Sequence, residues 1–364
     1  LAKTSICFDV CVWEVFVTMV CGGTLVILPA RQEGDAAVIV NTVTKREVTV
    51  AHFVPTMFTL FVDSGLIESC ESLEYIVAGG EALSPKVAGR CRAALPRASV
   101  TNSYGPTEAS IGVSFERFDP TRDWSGVASV PIGRPIDNTQ LVILDRHLNV
   151  VPPGVAGELY MGGINLAHGY HQRPSLTAER FIPNPFYEGA GARDSLRSST
   201  RLYASGDLCR YLPDGRIEFI GRIDFQVKVR GFRIEIGEVE AALRKHPLVR
   251  EALVIAKKVN EDNKLIAYLT SSSPSELTPA VLREFLSSEL PNYMIPAHFI
   301  AMNTFPLTSN GKLDRAALPS PEEAMSGLHA DTYVAPRTPL EKTLADLWKK
   351  VLHIDRVGIH DHFY

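Results

Sequence analysis

Paired cysteines, long basic runs and uninterrupted apolar segments are all missing from this chain. Its six cysteines include no Cys-x-x-Cys pair, which favours reduced thiols in a cytoplasmic protein over a disulfide framework or a zinc site. A net charge of −4 without a basic cluster argues against nucleic acid as the main partner. The longest apolar stretch, residues 15–30, is interrupted by Thr18, Gly22 and Gly23, so no membrane segment is predicted and the stretch is typical of helix, turn and strand.

Length and composition indicate more than one globular domain. The chain has 364 residues, of which 45% are hydrophobic and 21% charged. It begins at Leu1 within structured-looking sequence and shows no signal peptide, so we expect a piece of a longer protein. The absence of a G-x-x-x-x-G-K-[ST] stretch argues against a P-loop kinase or ATPase.

The predicted secondary structure changes near residue 130. Up to about 125, Val- and Ile-rich strands alternate with helical stretches, which predicts an α/β fold. "GTLVILPA" (23–30) and "VTVAHFVP" (48–55) are typical of buried parallel strands, and residues 73–95 predict strand, glycine turn and helix. From about 130 to 222, short strands and the turn 213–215 predict mostly antiparallel β-structure.

The second half predicts a small α+β unit and then a separate helix. "DFQVKVRGFRIE" (224–235) reads as one strand with a basic face, and two helices and three strands follow up to residue 318. Residues 319–335 are typical of a linker. Thr338, Pro339 and Glu341 then predict a capped helix start. Its apolar stripe needs a partner and consists of Leu340, Leu344, Leu347, Trp348 and Val351.

The stretch "SYGPTE" (103–108) holds three chemically distinct groups around one bend. Tyr104 offers a flat face for a base and Thr107 a hydroxyl for a phosphate oxygen. Glu108 offers a hard oxygen ligand to Mg²⁺, which typically binds one or two carboxylates together with substrate phosphates. The alternative is an ordinary strand-ending turn with a solvated Thr and Glu.

Three further residues are candidates whose ordinary interpretations stay open. Asp207 in "YASGDL" suits two ribose hydroxyls or a capping role in a turn. Lys312 follows the Asn-Gly turn of "SNGKLDR" and is either a surface lysine or a cation that stabilises developing negative charge. Asp9 in the apolar run "FDVCVWEVF" is either a helix cap or an anion that awaits a cationic ligand group.

In chain order, these stretches resemble the core motifs of nonribosomal peptide synthetase adenylation domains, within the acyl-adenylate-forming superfamily. The resemblance covers residues 1–318 and also rests on "GELYMGGINLAHGYHQRPSLTAERF", "GRIDFQVKVRGFRIEIGEVE" and "LPNYMIP". It implies the C-terminal portion of an α/β plus β-barrel large domain (1–223) and a small α+β domain (224–318). The tail "YVAPRTPLEKTLADLWKKVL" resembles the entry to a helical peptidyl carrier domain (336–364).

This resemblance implies activation of an amino acid with ATP and Mg²⁺, followed by transfer to a phosphopantetheine thiol on a carrier domain in cis, beside neighbouring synthetase modules. The family's phosphate loop and the carrier serine fall outside these residues, so we expect the chain alone to be inactive. The alternatives are an acyl-CoA or aryl-acid ligase of the same fold and a non-catalytic remnant.

The resemblance also implies roles for the nucleotide residues. Tyr104 stacks on adenine beside Gly105, Thr107 contacts phosphate, Glu108 holds Mg²⁺ and Asp207 binds the ribose hydroxyls.

Further implied roles concern the later motifs. Arg222 lies near the ribose, and Asp224 is the hinge about which the small domain turns. Lys228 and Gly231 face the site in the second conformation, and Lys312 bridges the substrate carboxylate and the α-phosphate.

Three positions depart from the usual pattern. Cys11 stands where the family often has Ser, and Ser205 where it often has Thr; Phe219 replaces a Tyr that contacts ribose.

The amino acid pocket is likewise implied by resemblance. Asp9 pairs with the α-ammonium group, and the side-chain pocket is lined by Val10, Trp13, His52, Val77, Gly79, Ser103, Ile111 and Gly112. Its opening positions are similar to serine-activating pockets. His52 and Ser103 suggest a polar substrate, and Gly79 and Gly112 are expected to leave room for a larger one. For His52 and Trp13, ordinary core packing is the alternative.

Overall fold

The computed structural model describes residues 1–30, 32–189, 199–224, 226–229, 232–259, 262–271, 273, 277–306, 314, 317–319, 335–352 and 357–358. Its contacts divide the chain into two units. The first comprises residues 1–235 and 260–263, and the second comprises 236–259 and 264–364. The family resemblance placed the domain boundary at 223/224, and that position stays a prediction.

The first unit opens with an α/β layer. Its sheet runs in the order β1-β2-β3-β4-β5, with β1, β2 and β3 parallel and the last two strands antiparallel. The strands are β1 (Val50–Phe53), β2 (Tyr75–Gly79), β3 (Ser99–Tyr104), β4 (Ser114–Arg117) and β5 (Arg134–Pro135). The helices are α1 (Val10–Val20), α2 (Ala36–Arg46), α3 (Pro55–Asp63) and α4 (Pro85–Ala94).

The core of this layer explains why one predicted strand formed and another did not. Phe53 at the end of β1 is fully buried against Phe58 and Phe61 of α3, so "VTVAHFVP" is a buried parallel strand as predicted. The prediction for "GTLVILPA" was wrong, because this segment makes one isolated bridge, between Ile27 and Ala2. Ile27 is 73% exposed, and an extended segment without a continuous hydrogen-bonding partner is not a strand.

A second, antiparallel sheet completes the first unit. Its order is β10-β9-β7-β6, with β8 paired to β9, and helix α5 (Pro174–Arg180) leads directly into β8. The predicted hairpin turn is confirmed, since the amide of Leu212 donates to the carbonyl of Arg216 at 2.7 Å. The strands are β6 (Thr139–Leu144), β7 (Gly157–Gly163), β8 (Phe181–Pro183), β9 (Arg201–Tyr211) and β10 (Ile217–Arg222).

The predicted barrel is found as an open sheet. Within the described residues β10 and β6 are the two ends of the strand order, so the sheet curves as a half-barrel and does not close. The predicted single strand at 224–235 was also wrong. It is a hairpin of β11 (Val227–Val229) and β12 (Phe232–Ile234), in which Val229 pairs with Phe232.

The second unit holds the helices and strands that the sequence predicted there. They are α6 (Ile236–Arg244), β13 (Val249–Val259), β14 (Asp262–Ser271), α7 (Pro279–Glu289) and β15 (His298–Met302). The sheet order is β13-β14-β15, and Tyr268, Ile266 and Ile300 form its buried centre. Most of the predicted linker, residues 320–334, lies outside the described residues.

Helix α8 (Pro339–Leu352) begins where the capping motif predicted. The hydroxyl of Thr338 accepts from the amide of Glu341 at 3.2 Å, and the Glu341 carboxylate accepts from the amide of Thr338 at 2.9 Å. Leu340, Leu344 and Leu347 remain 47–70% exposed, as expected of an uncovered stripe. Among the helices described, none has the length and apolarity that crossing a bilayer requires.

Candidate active site

The site lies where the parallel strands end. The turn after β3 forms a single 3-10 turn at Thr107–Ala109, followed by Ser110 and Ile111 with φ of 59° and 79°. Such positive φ values strain non-glycine residues and are concentrated at functional sites. Gly105 makes the turn possible, because a Cβ on it would lie 2.0 Å from the carbonyl oxygen of Ile111. The predicted nucleotide turn is therefore a tightly folded loop.

Tyr104 and Asp207 lie together, although 103 residues separate them. The Tyr104 hydroxyl donates to the Asp207 carboxylate, and both residues are buried, at 7% and 4% exposure. Burial and the neighbouring Asp207 charge raise the pKa of Tyr104 well above its ordinary value, so the phenol stays a donor. Because the Tyr104 ring is buried, adenine could stack on it only after the residues that cover the ring have moved.

Arg222 joins Asp207 to the predicted hinge. It donates to Asp207 at 2.8 Å and to the carbonyl of Ser205 at 2.8 Å. Two further bonds, at 2.9 and 2.5 Å, reach Asp224. Burial acts to raise the pKa of Asp224, but the hydrogen bonds and charge of Arg222 outweigh it and hold that pKa below its ordinary value. Arg180 at the end of α5 lies 3.6 Å from the same carboxylate.

Gly206 is the second position where glycine is required. Its φ is 72°, and a Cβ would lie 2.8 Å from both Arg222 and Asp224. Its amide donates to Glu158 on the neighbouring β7 at 2.9 Å. The backbone before Asp207 thus passes close to the Arg222–Asp224 pair in a conformation that glycine adopts readily.

Asp9 occupies the cap position of α1 without capping it. Its side chain makes no hydrogen bond to the helix amides. It accepts instead a hydrogen bond of 2.5 Å from the hydroxyl of Thr107, 98 residues away. The ion pairs found among the described residues include none with Asp9.

Glu108 accepts a hydrogen bond of 2.7 Å from the hydroxyl of Tyr170. Burial and this bond raise the pKa of Tyr170. Within the described part of the chain, no group of three or more His, Cys, Asp or Glu residues could hold a metal. A carboxylate such as that of Glu108 suits Mg²⁺ when the other ligands are substrate phosphates and water, the usual arrangement for this ion.

The predicted side-chain pocket residues come from one helix, three strands and the turn after β3. Val10 and Trp13 lie on α1, and the Trp13 ring is 6.2 Å from that of His52 on β1. Parallel pairing places His52 beside Val77, and Gly79 beside Ser103. Ile111 and Gly112 follow in the strained turn, where a Cβ on Gly112 would lie 3.7 Å from the Ser103 hydroxyl.

His52 is a neutral buried imidazole. Burial, and secondarily the charge of Lys3, lower the pKa of His52 to about 3. Its Nδ1 atom is buried and has no hydrogen-bond partner among the described residues. A buried polar atom without a partner is costly and calls for a reason.

The two pocket glycines lie close to neighbouring residues. A Cβ at Gly79 would lie 2.9 Å from the carbonyl oxygen of Ser103, and one at Gly112 would lie 3.1 Å from the Phe115 ring. A Cβ at either position would therefore meet a neighbouring residue, and the room that the two glycines leave for a substrate stays a prediction. Phe219 packs against the core of the antiparallel sheet, where it pairs with Cys209.

Three predicted residues cannot be placed in this site. Lys312 and Gly231 lie outside the described residues, and only the backbone of Lys228, in β11, is described.

Sequence reasoning gave no role to three residues that the structure brings into or beside the site. Tyr170 and Arg180 lie within the motif stretch 157–181, where Gly-Tyr and Glu-Arg-Phe offered no chemical signal. Glu14, only 4% exposed, accepts from the amides of Lys3 and Thr4 at 3.1 and 3.0 Å. A carboxylate in an apolar helix was the available signal for Glu14, because it needs partners when buried.

Two family models match the chain. The AMP-binding enzyme model matches residues 1–171, and the AMP-binding enzyme C-terminal domain model matches residues 238–312. Among curated proteins, a mycosubtilin synthase polypeptide of Bacillus subtilis is 48% identical over all of this chain. The chain spans 14% of that relative's length.

Solved structures of adenylation domains also resemble this chain. Holo-PA1221, an NRPS protein with adenylation and PCP domains bound to a vinylsulfonamide inhibitor, superposes with a TM-score of 0.77 at 27% identity, over 98% of this chain and 56% of that one. Holo-AB3403, a four-domain nonribosomal peptide synthetase bound to AMP and glycine, is 36% identical with a TM-score of 0.55, over 100% of this chain and 26% of that one.

Proposed function

The chain belongs to the AMP-binding enzymes as an adenylation domain of the nonribosomal peptide synthetase type, and on this premise we propose that it activates an amino acid as its adenylate and delivers it to a carrier domain. In the first half-reaction, a carboxylate oxygen of the amino acid attacks the α-phosphorus of ATP, and the bond to pyrophosphate breaks. In the second, a thiolate displaces AMP from the acyl carbon. The phosphopantetheine of a carrier supplies that thiol.

One observation carries the amino acid part of this proposal. The Thr107 hydroxyl donates to Asp9 at 2.5 Å, so a carboxylate suited to an ammonium group lies beside a hydroxyl suited to phosphate. An aminoacyl adenylate carries its ammonium group on Cα and its phosphate on an oxygen of the adjacent carboxyl carbon. An acyl or aryl acid has no ammonium group to pair with Asp9, which disfavours the ligase alternative.

The remaining residues take roles in positioning and charge stabilisation. Asp207 exchanges part of its bonding to Arg222 and Tyr104 for the ribose hydroxyls, and Glu108 holds Mg²⁺, which neutralises phosphate charge when bound. Asp224 is the hinge, and Lys312 bridges the substrate carboxylate and α-phosphate. These assignments rest on the motif resemblance, and for Lys312 on that alone.

The substrate is proposed to be a small or medium polar amino acid. His52 and Ser103 offer hydrogen-bonding groups to a polar side chain. The opening positions Asp9, Val10, Trp13 and His52 are similar to serine-activating pockets, so a serine-like side chain is the specific candidate.

The carrier part of the proposal concerns α8. Its capped start and exposed leucine stripe suit the first helix of a carrier domain that is covered by later helices. A domain of that kind in cis, with further synthetase modules, would receive the aminoacyl group.

The test is ATP–pyrophosphate exchange on the full polypeptide that carries these 364 residues, across a panel of amino, hydroxy and aryl acids. Exchange with one polar amino acid would support the proposal and name the substrate. Exchange only with acids that lack an α-amino group would favour the ligase alternative. No exchange by a demonstrably folded protein would favour a non-catalytic remnant.

A further inference from the structure

Tyr170 contacts a residue of the predicted machinery but has no assigned role. Its hydroxyl donates to Oε1 of Glu108 at 2.7 Å across a sequence separation of 62 residues. The two residues come from different layers of the first unit, since Glu108 follows β3 and Tyr170 precedes α5. A contact of this kind is made by tertiary folding and is independent of local sequence.

Tyr170 is itself held in place. Its amide donates to the hydroxyl of Thr177 at 2.9 Å, and that hydroxyl also donates to the carbonyl of Arg173 at 2.9 Å. The Tyr170 ring packs edge-on against Phe181, with 5.8 Å between ring centroids. A side chain fixed at both its backbone and its ring holds its hydroxyl at a defined point.

The segment before Tyr170 also holds the backbone of the nucleotide turn. The amide of Ala167 donates to the carbonyl of Glu108 at 2.8 Å. The Asn165 side chain donates to the carbonyl of Ala109 at 3.0 Å, and the Ser110 hydroxyl donates to the carbonyl of Asn165 at 2.8 Å. The main chain and the carboxylate of Glu108 are therefore both oriented from one side.

We propose that Tyr170 is a positioning residue for Glu108, holding its carboxylate in the orientation in which it binds Mg²⁺. This inference rests on the proposed function. A neutral hydroxyl suits the task, because it orients the carboxylate without neutralising it, whereas a Lys or Arg partner would compete with the metal for the same charge. Tyr170 acts through Glu108 and is not a catalytic residue.

The experiment measures metal binding directly. Mn²⁺ serves as the probe, and its electron paramagnetic resonance signal reports the fraction bound in the presence of α,β-methylene-ATP, which is not cleaved. In the full polypeptide, Tyr170→Phe should raise the Kd of Mn²⁺ about tenfold, the usual cost of losing a partner that orients a metal ligand. The Mg²⁺ concentration for half-maximal pyrophosphate exchange should rise in parallel, with the KM of the amino acid unchanged.

Tyr211→Phe is the matched control. The Tyr211 hydroxyl donates to the carbonyl of Leu141 at 3.3 Å and accepts from the amide of Ile143 at 3.2 Å, within the same unit and away from Glu108. Its loss should leave Mn²⁺ binding unchanged. In a Glu108→Gln background, Tyr170→Phe should have no further effect on Mn²⁺ binding, because the two residues act as one unit.

The outcomes separate this inference from the proposed function. If wild type shows amino-acid-dependent exchange but Tyr170→Phe binds Mn²⁺ as wild type does, the positioning role is overturned and the function stands. Absence of exchange in wild type overturns the function, and the positioning role with it. If Tyr170→Phe fails to fold, Thr177→Val serves instead. It removes the hydroxyl that accepts from the Tyr170 amide and keeps the Tyr170 hydroxyl itself. A rise in Kd then supports the role, and an unchanged Kd overturns it.

Discussion

The side of the site proposed to bind the nucleotide and the side proposed to bind the amino acid differ in how their polar groups are satisfied. On the nucleotide side, Asp207 is fully engaged by Arg222 and Tyr104. On the proposed amino acid side and among the described residues, Asp9 has the neutral Thr107 hydroxyl as its partner and Nδ1 of His52 has none. A network that is complete within the protein rigidifies the fold, whereas groups left incomplete are available to a ligand.

The comparison implies different consequences of mutation. Residues on the nucleotide side should contribute chiefly to stability, and those on the amino acid side to substrate selection. The predictions below test this division, beginning with the largest expected effect.

Removal of the central nucleotide-side carboxylate should be the most damaging change. Asp207→Ala leaves the Arg222 cation partly buried with one of its carboxylates lost, and we expect a decrease of about 3–5 kcal/mol in the free energy of unfolding. Urea denaturation measures it. Asp63→Ala removes an exposed partner of Arg90, with both side chains 45% exposed, and should cost less than about 1 kcal/mol. Equal losses would mean that the buried cluster contributes no more than a surface pair.

Asp9→Ala should affect activity and spare stability. We expect about a 100-fold decrease in kcat/KM for the amino acid, since losing one partner of a desolvated charge pair costs about 2–5 kcal/mol. The KM of ATP should not change. Pyrophosphate exchange with varied amino acid measures this effect.

Asp35→Ala is the control for Asp9→Ala, and it should lower stability while sparing activity. Asp35 caps α2 by accepting from the amides of Ala37 and Val38 at 2.9 and 3.2 Å. Its loss should cost about 1 kcal/mol of stability without changing exchange. If Asp9→Ala behaves like Asp35→Ala, then Asp9 is a structural residue and the comparison fails.

The buried imidazole predicts a pH dependence of stability. The pKa of His52 is about 3 in the folded chain against 6.5 for the free side chain, so the unfolded chain binds the extra proton. The stabilisation is complete above pH 6.5 and is lost as the pH falls toward 3, with a slope of at most about 1.4 kcal/mol per pH unit. His52→Gln should flatten the slope. Identical profiles for wild type and His52→Gln would show that folding does not lower the pKa of His52.

The two arginines on the hinge carboxylate should differ, and the effect at Arg180 should be the smallest. Arg180 approaches Asp224 at 3.6 Å with both side chains about a quarter exposed, so Arg180→Gln should cost less than about 1 kcal/mol. Arg222→Gln also leaves buried Asp207 without its cation and should cost about 3 kcal/mol. Chemical denaturation measures the free energy of unfolding of both variants. A larger loss for Arg180→Gln than for Arg222→Gln would contradict this prediction.

Much of the fold followed from local patterns. Phe53 and its neighbours in "VTVAHFVP" form a strand because a short apolar run is satisfied by burial on both faces. Thr338 and Glu341 define the start of α8 through bonds that span three residues. Two strand predictions were wrong because strand formation depends on a pairing partner. Ile27 makes one isolated bridge and has no strand beside it, and the stretch around Val229 pairs with residues 232–234 as a hairpin.

In the candidate site, too, some features could be predicted from the sequence and others required the tertiary structure. The sequence by itself indicated the candidate groups, because Tyr104, Thr107, Glu108 and Asp207 lie in short motifs that resemble those of adenylation domains. The tertiary structure alone decided what each group touches: Asp9 meets Thr107 across 98 residues, and Tyr170 meets Glu108 across 62. The physical reason is that hydrogen bonds extend about 3 Å and depend on direction, so contacts between distant segments are fixed only when the layers that carry them pack together.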